Sequence, residues 1–219
     1  MITLKSAREI EAMDRAGDFL ASIHIGLRDL LKPGVDMWEV EEYVRRRCKE
    51  ENVLPLQIGV EGSIMDYPYA TCCSLNDEVA HAFPRHYILK DGDLLKVDMV
   101  LSEPIDKSVL DVSKLDFDNV AQVKKYTESY AGGLADSCWA YAIGTPSDEV
   151  KNLMEVTREA MYLGIEQAVV GNRIGDIGAA IQEYAESRGY GVVRDLVGHG
   201  VGPTMHEEPM VPNYGVAGR

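Results

Sequence analysis

A shift of 137 positions along the chain places Val44 on Ile181, and this repeat restricts the possible folds more than any other feature of the sequence. The shift also places Gly34 on Gly171 and Val40 on Ile177. In both copies, apolar residues follow the period of an amphipathic helix twice in succession, and strand-like segments come next. The order helix, helix, strands therefore occurs twice, which indicates a duplicated half.

The first copy carries helix start and stop signals. Ser6 and Glu9 match a capping box, and the apolar period continues until Pro33 and Gly34 end it. A second helix follows, with an apolar face and a charged face. Its charged residues are expected to point to solvent, namely Glu41, Glu42, Arg45 and Arg46.

The second copy is predicted to begin at Thr145 and Pro146, because this pair suits the N-cap and first position of a helix. That helix is expected to end near Gly171, and the next one at Gly189. Between the copies, the acidic segment 102–131 is too long for an ordinary hairpin loop. A short helix is predicted around three of its residues, Val120, Val123 and Tyr126.

Two segments with strand-like alternation, residues 94–101 and 135–143, contain one aspartate each, Asp98 and Asp136. An unpaired carboxylate is costly to bury, so each aspartate needs a cation, a hydrogen-bond donor or water. A metal ion would meet that need, and an aspartate that caps a turn or faces solvent is the alternative. The face of the first strand opposite Asp98 is predicted to contain Leu95, Val97, Met99 and Leu101.

Charge and composition exclude several classes of protein. The sequence has 36 Asp and Glu residues against 22 Lys and Arg residues, a net charge of −14, so affinity for DNA or RNA is not expected. Hydrophobic residues make up 46% and charged residues 26%, which excludes a disordered chain. No segment approaches the ~20 apolar residues of a membrane span, and no secretory leader is evident. The four cysteines form no C-x-x-C pair, which fits a reducing compartment, and a cytoplasmic protein is predicted.

Two histidine motifs lie near the end of the chain. His199 is the centre of G-H-G-V-G at residues 198–202, and His206 begins the motif H-E-E-P. Glycines beside a histidine let the backbone approach a ligand closely, and imidazole can bind a metal or donate a proton. Neither H-E-x-x-H nor G-x-G-x-x-G is present. His81 is a third candidate, whereas no catalytic role is expected of His24 and His86.

Together with these two motifs, three further segments resemble methionine aminopeptidases of the type I, bacterial kind: S-L-N-D-E-V-A-H at 74–81, L-L-K-V-D at 94–98 and G-L-A-D-S at 133–137. The resemblance covers nearly the whole chain except residues 102–131, an insertion. It implies an α+β pita-bread (creatinase/aminopeptidase) fold with two pseudo-symmetric halves. The implied organisation is a single domain over residues 1–219, with an N-terminal half at 1–144 and the first part of an incomplete C-terminal half at 145–219.

The resemblance implies removal of the initiator methionine from nascent polypeptides by a monomer that uses two divalent ions, Co, Mn, Fe, Zn or Ni. The family's metal ligands fall on Asp98, Asp136 and His199, and its two glutamate ligands have no counterpart before Arg219. Carboxylate and imidazole suit such ions, and two ions can activate one water molecule between them.

The resemblance also implies substrate contacts. His81 is expected to contact the substrate amide, and His206 is expected to hydrogen-bond the scissile carbonyl. The methionine pocket falls on Tyr67, Cys72 and Met205, for which ordinary core packing is equally open.

Several alternatives are open on the residues alone. The family joins its two aspartate strands by a short hairpin, whereas 38 positions separate Asp98 from Asp136. Three aspartates of the insertion are therefore rival ligands, Asp111, Asp116 and Asp118. The ribosome, another partner and solvent are equally open as contacts of the insertion. An Xaa-Pro aminopeptidase and a metal-free binding module of the same fold are the alternative functions.

Overall fold

The computed structural model describes residues 2–219, which form two compact units. The first unit contains Leu4–Pro146 and Val201–Met205, and the second contains Ser147–Gly200 and His206–Arg219. The division of a single domain into halves at 1–144 and 145–219 stays a prediction. In chain order the elements are α1 (Ala7–Leu30), α2 (Trp38–Glu51), β1 (Cys72–Leu75), β2 (Leu94–Ser102), a 3₁₀ helix (Val112–Lys114), α3 (Val120–Thr127), β3 (Leu134–Ala142), α4 (Asp148–Glu166), α5 (Ile174–Glu186), β4 (Gly198–Gly200) and β5 (Glu207–Val211).

Helix α1 begins as its capping signal predicts. The Ser6 hydroxyl oxygen accepts a hydrogen bond from the Glu9 amide at 3.3 Å, and the Glu9 carboxylate accepts one from the Ser6 amide at 2.7 Å. The apolar face of the helix packs on β3 and buries Leu20, Ile23 and Leu27. Because each such side chain contributes roughly 1.5–3 kcal/mol when it leaves water, this face holds the helix on the sheet. Within residues 2–219, none of the helices is both long and apolar enough to cross a membrane.

Helix α2 corrects the expectation that Glu41 faces solvent, because this side chain is fully buried. Its carboxylate accepts hydrogen bonds from Arg45 Nε at 2.5 Å, the Ala70 amide at 2.8 Å and the Thr71 hydroxyl at 2.6 Å. These donors offset the cost of removing a carboxylate from water. Arg45 is drawn in with Glu41 and is half-buried. The remaining charged residues of this face are exposed as expected, Glu42 and Arg46.

Strands β1, β2 and β3 form an antiparallel sheet with β2 in the middle. Side chains alternate between the two faces, as in any strand. One face of β2 is completely buried, as predicted, and contains Leu95, Val97, Met99 and Leu101. Helix α1 covers the same face of the sheet, so the opposite face carries the remaining residues of the ladder, including Asp98.

The insertion at 102–131 packs on the core of its own unit. Asn52, with a left-handed backbone at φ 58°, accepts a hydrogen bond from the Val112 amide at 2.8 Å and donates one to the Ile105 carbonyl at 2.6 Å. Helix α3 confirms the short helix predicted within the insertion. Four apolar side chains of the insertion are buried, Val112, Leu115, Phe117 and Val123. The insertion is therefore built into the unit.

The second unit repeats the two-helix arrangement. Gly171 has a φ of 103° between α4 and α5, and Gly34 has a φ of 95° between α1 and α2, in agreement with the repeat of the sequence. Two predicted boundaries are wrong. Helix α4 starts after Ser147, whose hydroxyl oxygen accepts a hydrogen bond from the Val150 amide at 3.2 Å, and not at Thr145. It ends at Glu166, before the predicted stop at Gly171, because the chain turns through several residues between the helices.

Candidate metal and substrate site

Asp98 and Asp136 lie on the same face of the sheet. In the β2–β3 ladder, Asp98 is opposite Cys138 and Val100 is opposite Asp136, so the two aspartates are diagonal neighbours. Diagonal neighbours in an antiparallel ladder are ~7–8 Å apart, and their side chains can come closer. Asp98 is half-buried and Asp136 is exposed. The fold thus brings together two carboxylates that the insertion separates along the chain.

The three rival aspartates lie in the insertion, where Asp111 and Asp116 make local contacts and Asp118 contacts α2. The Asp111 carboxylate accepts a hydrogen bond from the Ser113 hydroxyl at 2.6 Å. Asp116 accepts one from the Asp118 amide at 3.1 Å, and Asp118 forms an ion pair with Arg45 at 2.6 Å. None of the three belongs to β2 or β3.

Cys72 is opposite Asp98 in the β1–β2 ladder, so its side chain lies on the same face as the two aspartates. Burial raises the pKa of the Cys72 thiol to about 12, which keeps it neutral at pH 7. Tyr67 donates its hydroxyl hydrogen to the Thr71 carbonyl at 3.0 Å, and burial raises the pKa of Tyr67 above its usual value. Gln57 Nε2 donates to Cys72 Sγ at 3.5 Å. Among residues 2–219, Gln57 Oε1 is the one buried side-chain polar atom without a hydrogen-bond partner.

His81 lies in an exposed turn after β1 and has a left-handed backbone at φ 60°. Histidine adopts this conformation more often than most residues, and such conformations concentrate at functional sites. The next residue, Ala82, accepts a hydrogen bond from the Cys73 amide at 2.8 Å, which holds the turn beside β1. Met205 is half-buried and packs against the apolar core of this unit.

In the second unit, the rings of His199 and His206 are adjacent, with centroids 4.4 Å apart. His199 Nδ1 lies 2.9 Å from the Gly200 carbonyl oxygen. Because a carbonyl can only accept, Nδ1 carries the proton and the lone pair of the neutral ring is on Nε2, the atom suited to bind a metal.

The glycines around His199 have a role within the strand pair itself. That they also let the backbone approach a ligand stays a prediction. A Cβ at Gly200 would lie 2.7 Å from the Glu208 carbonyl oxygen, and one at Gly198 would lie 3.1 Å from the Val211 carbonyl oxygen. The glycines therefore permit the close pairing of β4 with β5, which holds the intervening histidine.

His24 is a residue whose importance the sequence did not reveal. It is fully buried and stacks on Trp139, with ring centroids 4.7 Å apart. His24 Nδ1 lies 2.7 Å from the Tyr141 hydroxyl oxygen, and Nε2 lies 3.1 Å from the Ser137 hydroxyl oxygen and 3.3 Å from the Ser137 carbonyl oxygen. The Tyr141 hydroxyl lies 3.1 Å from the His24 carbonyl oxygen. His24 thereby fixes β3 from the face opposite Asp136. The available signal was its spacing of four residues from the buried Leu20, which places both on one helix face.

The candidate site residues form two pairs, Asp98 with Asp136 in the first unit and His199 with His206 in the second. His206 is a candidate substrate contact, and the other three are the candidate metal ligands. Within the described residues, 2–219, no three His, Cys, Asp or Glu side chains are grouped closely enough to hold a metal ion. The chemistry of the donors nevertheless fits a divalent ion, since carboxylates suit hard cations and imidazole suits Zn, Fe and Ni.

Comparison with known proteins identifies the family. The sequence pattern of metallopeptidase family M24 matches residues 11–102 and 125–219, and most of the insertion lies outside this match. The chain belongs to metallopeptidase family M24. Members of this family depend on a metal, so a divalent ion is the cofactor of this M24 peptidase.

The relatives of this M24 peptidase are methionine aminopeptidases. It is 38% identical to the methionine aminopeptidase of Clostridium acetobutylicum over 100% of this chain and 76% of the relative. A solved methionine aminopeptidase from Streptococci is 89% identical, with a TM-score of 0.91 over 100% of this chain and 77% of that one. The X-Pro aminopeptidase of Thermotoga maritima, at 20% identity and a TM-score of 0.65 over 96% of this chain and 50% of that one, shares the fold. The resemblance to methionine aminopeptidases and the pita-bread fold are confirmed.

Proposed function

We propose that this M24 peptidase removes the N-terminal methionine of nascent polypeptides in the cytoplasm, as a monomer that uses two divalent ions. One observation carries the proposal: Asp98 and Asp136 are diagonal neighbours on one sheet face in a chain 38% identical to a methionine aminopeptidase. Two carboxylates on neighbouring hydrogen-bonded strands form a rigid support for cations, because each strand holds the other in place.

Asp98, Asp136 and His199 are the proposed metal ligands. A bound divalent ion supplies Lewis-acid activation of water and of the peptide carbonyl. The hydrogen bond from His199 Nδ1 to the Gly200 carbonyl holds the ring in one orientation and makes Nε2 the atom that would bind the metal.

His81 and His206 are the proposed substrate contacts. His206 would donate a hydrogen bond to the carbonyl oxygen as negative charge develops on it, and His81 would hold the substrate amide. Tyr67, Cys72 and Met205 would enclose the methionine side chain. A neutral thiol and a thioether are soft, weakly polar groups, which suits contact with another thioether.

The first experiment uses the full-length protein and two peptides, Met-Ala-Ser and an Xaa-Pro peptide. Chelation should abolish methionine release from Met-Ala-Ser, and adding back Co, Mn, Fe, Zn or Ni should restore it. Faster cleavage of the Xaa-Pro peptide would contradict the proposed substrate. A protein that contains no divalent ion and releases no methionine would instead be a binding module.

The second experiment tests the histidines. His199→Ala should lose metal, whereas His206→Ala should keep metal and lose ~10²–10³-fold in kcat, the usual effect of removing one oxyanion donor. Asp111→Asn, which removes a rival aspartate, should keep both metal and activity. Normal turnover by His206→Ala would remove this residue from the reaction.

A further inference from the structure

The insertion touches one segment of the first unit at several points. This segment, residues 57–72, is called the pocket segment here because it includes the proposed substrate residues Tyr67 and Cys72. At its start, the Thr127 hydroxyl of α3 donates to the Ile58 carbonyl at 3.1 Å. A Cβ at Gly59 would lie 2.7 Å from Lys124 Cβ, and Gly59 has a φ of 92°, so glycine is required for α3 to lie this close.

The middle of the pocket segment is held by an ion pair. Lys124 Nζ of α3 lies 2.8 Å from Asp66 Oδ2, and the two side chains are only 25% and 35% exposed. Asp66 precedes Tyr67, whose carbonyl accepts from the Gly59 amide at 2.8 Å and whose amide donates to the Val60 carbonyl at 2.8 Å. Gly59 and Val60 are therefore hydrogen-bonded to Tyr67, and the Lys124–Asp66 ion pair holds these two parts of the pocket segment against α3.

A second ion pair reaches the end of the pocket segment through Arg45. The guanidinium donates to Asp118 of the insertion at 2.6 Å, to the Pro68 carbonyl at 3.2 Å and to Glu41 at 2.5 Å. The Glu41 carboxylate in turn accepts hydrogen bonds from the Ala70 amide and the Thr71 hydroxyl, and these two residues immediately precede Cys72. One connected set of hydrogen bonds thus runs from the insertion to both sides of Tyr67.

We infer that the insertion positions Tyr67 and thereby sets how strictly the enzyme selects methionine over other N-terminal residues. The inference rests on the proposed function, because it takes Tyr67 to line the methionine pocket. The insertion can act in this way because its buried apolar side chains fix it to the core, so that its polar contacts bear on the pocket segment, whose middle, residues 61–65, is exposed. Lys124 and Asp118 are positioning residues and touch no substrate.

The test compares three variants of the full-length protein at neighbouring positions of α3. Lys124→Met removes the ion pair with Asp66, Lys124→Arg keeps it, and Lys125→Met removes the same charge from an exposed position one residue further on. Two quantities are measured: the ratio of kcat/KM for Met-Ala-Ser to that for Leu-Ala-Ser, and hydrogen exchange at the Gly59 and Tyr67 amides.

Lys124→Met should lower the methionine-to-leucine ratio by about 2- to 5-fold and speed exchange at both amides by a similar factor, the range expected for a partly exposed ion pair. Lys124→Arg and Lys125→Met should behave as the wild type. A mere loss of stability would not change a ratio of two substrates measured on the same folded enzyme.

An unchanged ratio in Lys124→Met overturns the inference while an active wild type leaves the proposed function intact. An equal change in Lys125→Met also overturns it, because the effect would then come from charge alone. A wild-type protein that releases no methionine overturns the proposed function, and the inference with it.

Discussion

Helices α1 and α4 have matching signals in the sequence and different burial in the structure. Both follow a serine N-cap, and both carry apolar residues at helical spacing over 24 and 19 residues, respectively. Helix α1 buries seven side chains, whereas α4 buries only Ala160 and Gly164 among the described residues. Ile165 of α4 is 57% exposed, while Ile23 of α1 is fully buried.

The chain spans 76% of the length of its Clostridium acetobutylicum relative, and within that span α1 packs on a sheet whereas α4 packs on α5. Helix α1 lies on a three-stranded sheet whose facing side is mostly apolar and contributes hydroxyl partners to His24 from Ser137 and Tyr141. Helix α4 packs on α5, and the contact is close enough that a Cβ at Gly164 would lie 2.7 Å from Ile181 Cδ1. An amphipathic pattern therefore specifies a helix and its apolar face, but the partner decides how much of that face leaves water.

The largest effect should come from a matched pair of substitutions in these helices. Ile23→Ala should lower the free energy of unfolding of the 219-residue chain by ~2–5 kcal/mol, because it leaves a cavity in the core. Ile165→Ala should change it by less than ~0.5 kcal/mol, as is usual for an exposed position. Urea denaturation of both variants measures the contrast, and equal losses would show that α4 is as firmly packed as α1.

Next in size is the pH dependence that His24 gives to the first unit. Burial lowers the pKa of His24 from 6.5 to about 4. Between pH 6.5 and about 4, His24 is therefore protonated in the unfolded chain and neutral in the folded chain. The free energy of unfolding falls as the pH drops through this range. The loss should be about 3 kcal/mol.

The His24 contribution is isolated by difference. Unfolding free energies are measured across this pH range for the wild type, His24→Gln and the exposed control His86→Gln. The slope of the unfolding free energy against pH should decrease only in His24→Gln. A slope that is the same in all three proteins would mean that the buried imidazole does not resist protonation.

A smaller effect is expected in the second unit, where β4 and β5 pair through close backbone contacts. Gly200→Ala should destabilise this hairpin by ~1–3 kcal/mol, because its Cβ would overlap the Glu208 carbonyl oxygen. Gly191→Ala is the control, since a Cβ there meets nothing within 4 Å. Thermal unfolding of the two variants gives the comparison, and equal melting temperatures would place the hairpin among the loosely packed parts of the chain.

The smallest effect concerns Gln57, a polar exception within the well-packed first unit. Its Oε1 is buried without a partner, so Gln57→Leu should be neutral or should stabilise the fold by up to ~1 kcal/mol. Asn52→Leu should instead destabilise it, because both ends of the Asn52 amide are hydrogen-bonded. A marked loss of stability in Gln57→Leu would show that Oε1 has a hydrogen-bond partner in solution.

Short-range signals predicted much of the fold. The capping box at Ser6, the alternation along β2 and the helix around Val123 all depend on residues within one or two turns of each other. The Ser147 cap was missed because Thr145 with Pro146 offers an equally good start two residues earlier.

The placement of Glu41 and His24 could not be predicted in the same way. Both are polar residues on helices, and a helical pattern assigns such residues to the solvent side. Their burial requires hydrogen-bond partners from distant segments, Ala70 and Thr71 for Glu41 and Ser137 and Tyr141 for His24.

By itself, the sequence determined the five α-helices, the strands β2 and β3, the repeat, the faces of β2 and the residue types able to bind a metal, because these follow from local spacing and side-chain chemistry. Only the tertiary structure decided that Asp136 lies diagonal to Asp98, that the insertion joins the core beside Tyr67 and that His24 is buried behind β3. Those outcomes depend on which segments, distant in sequence, pack against each other. The free energy of that packing depends on the whole folded chain and not on local sequence.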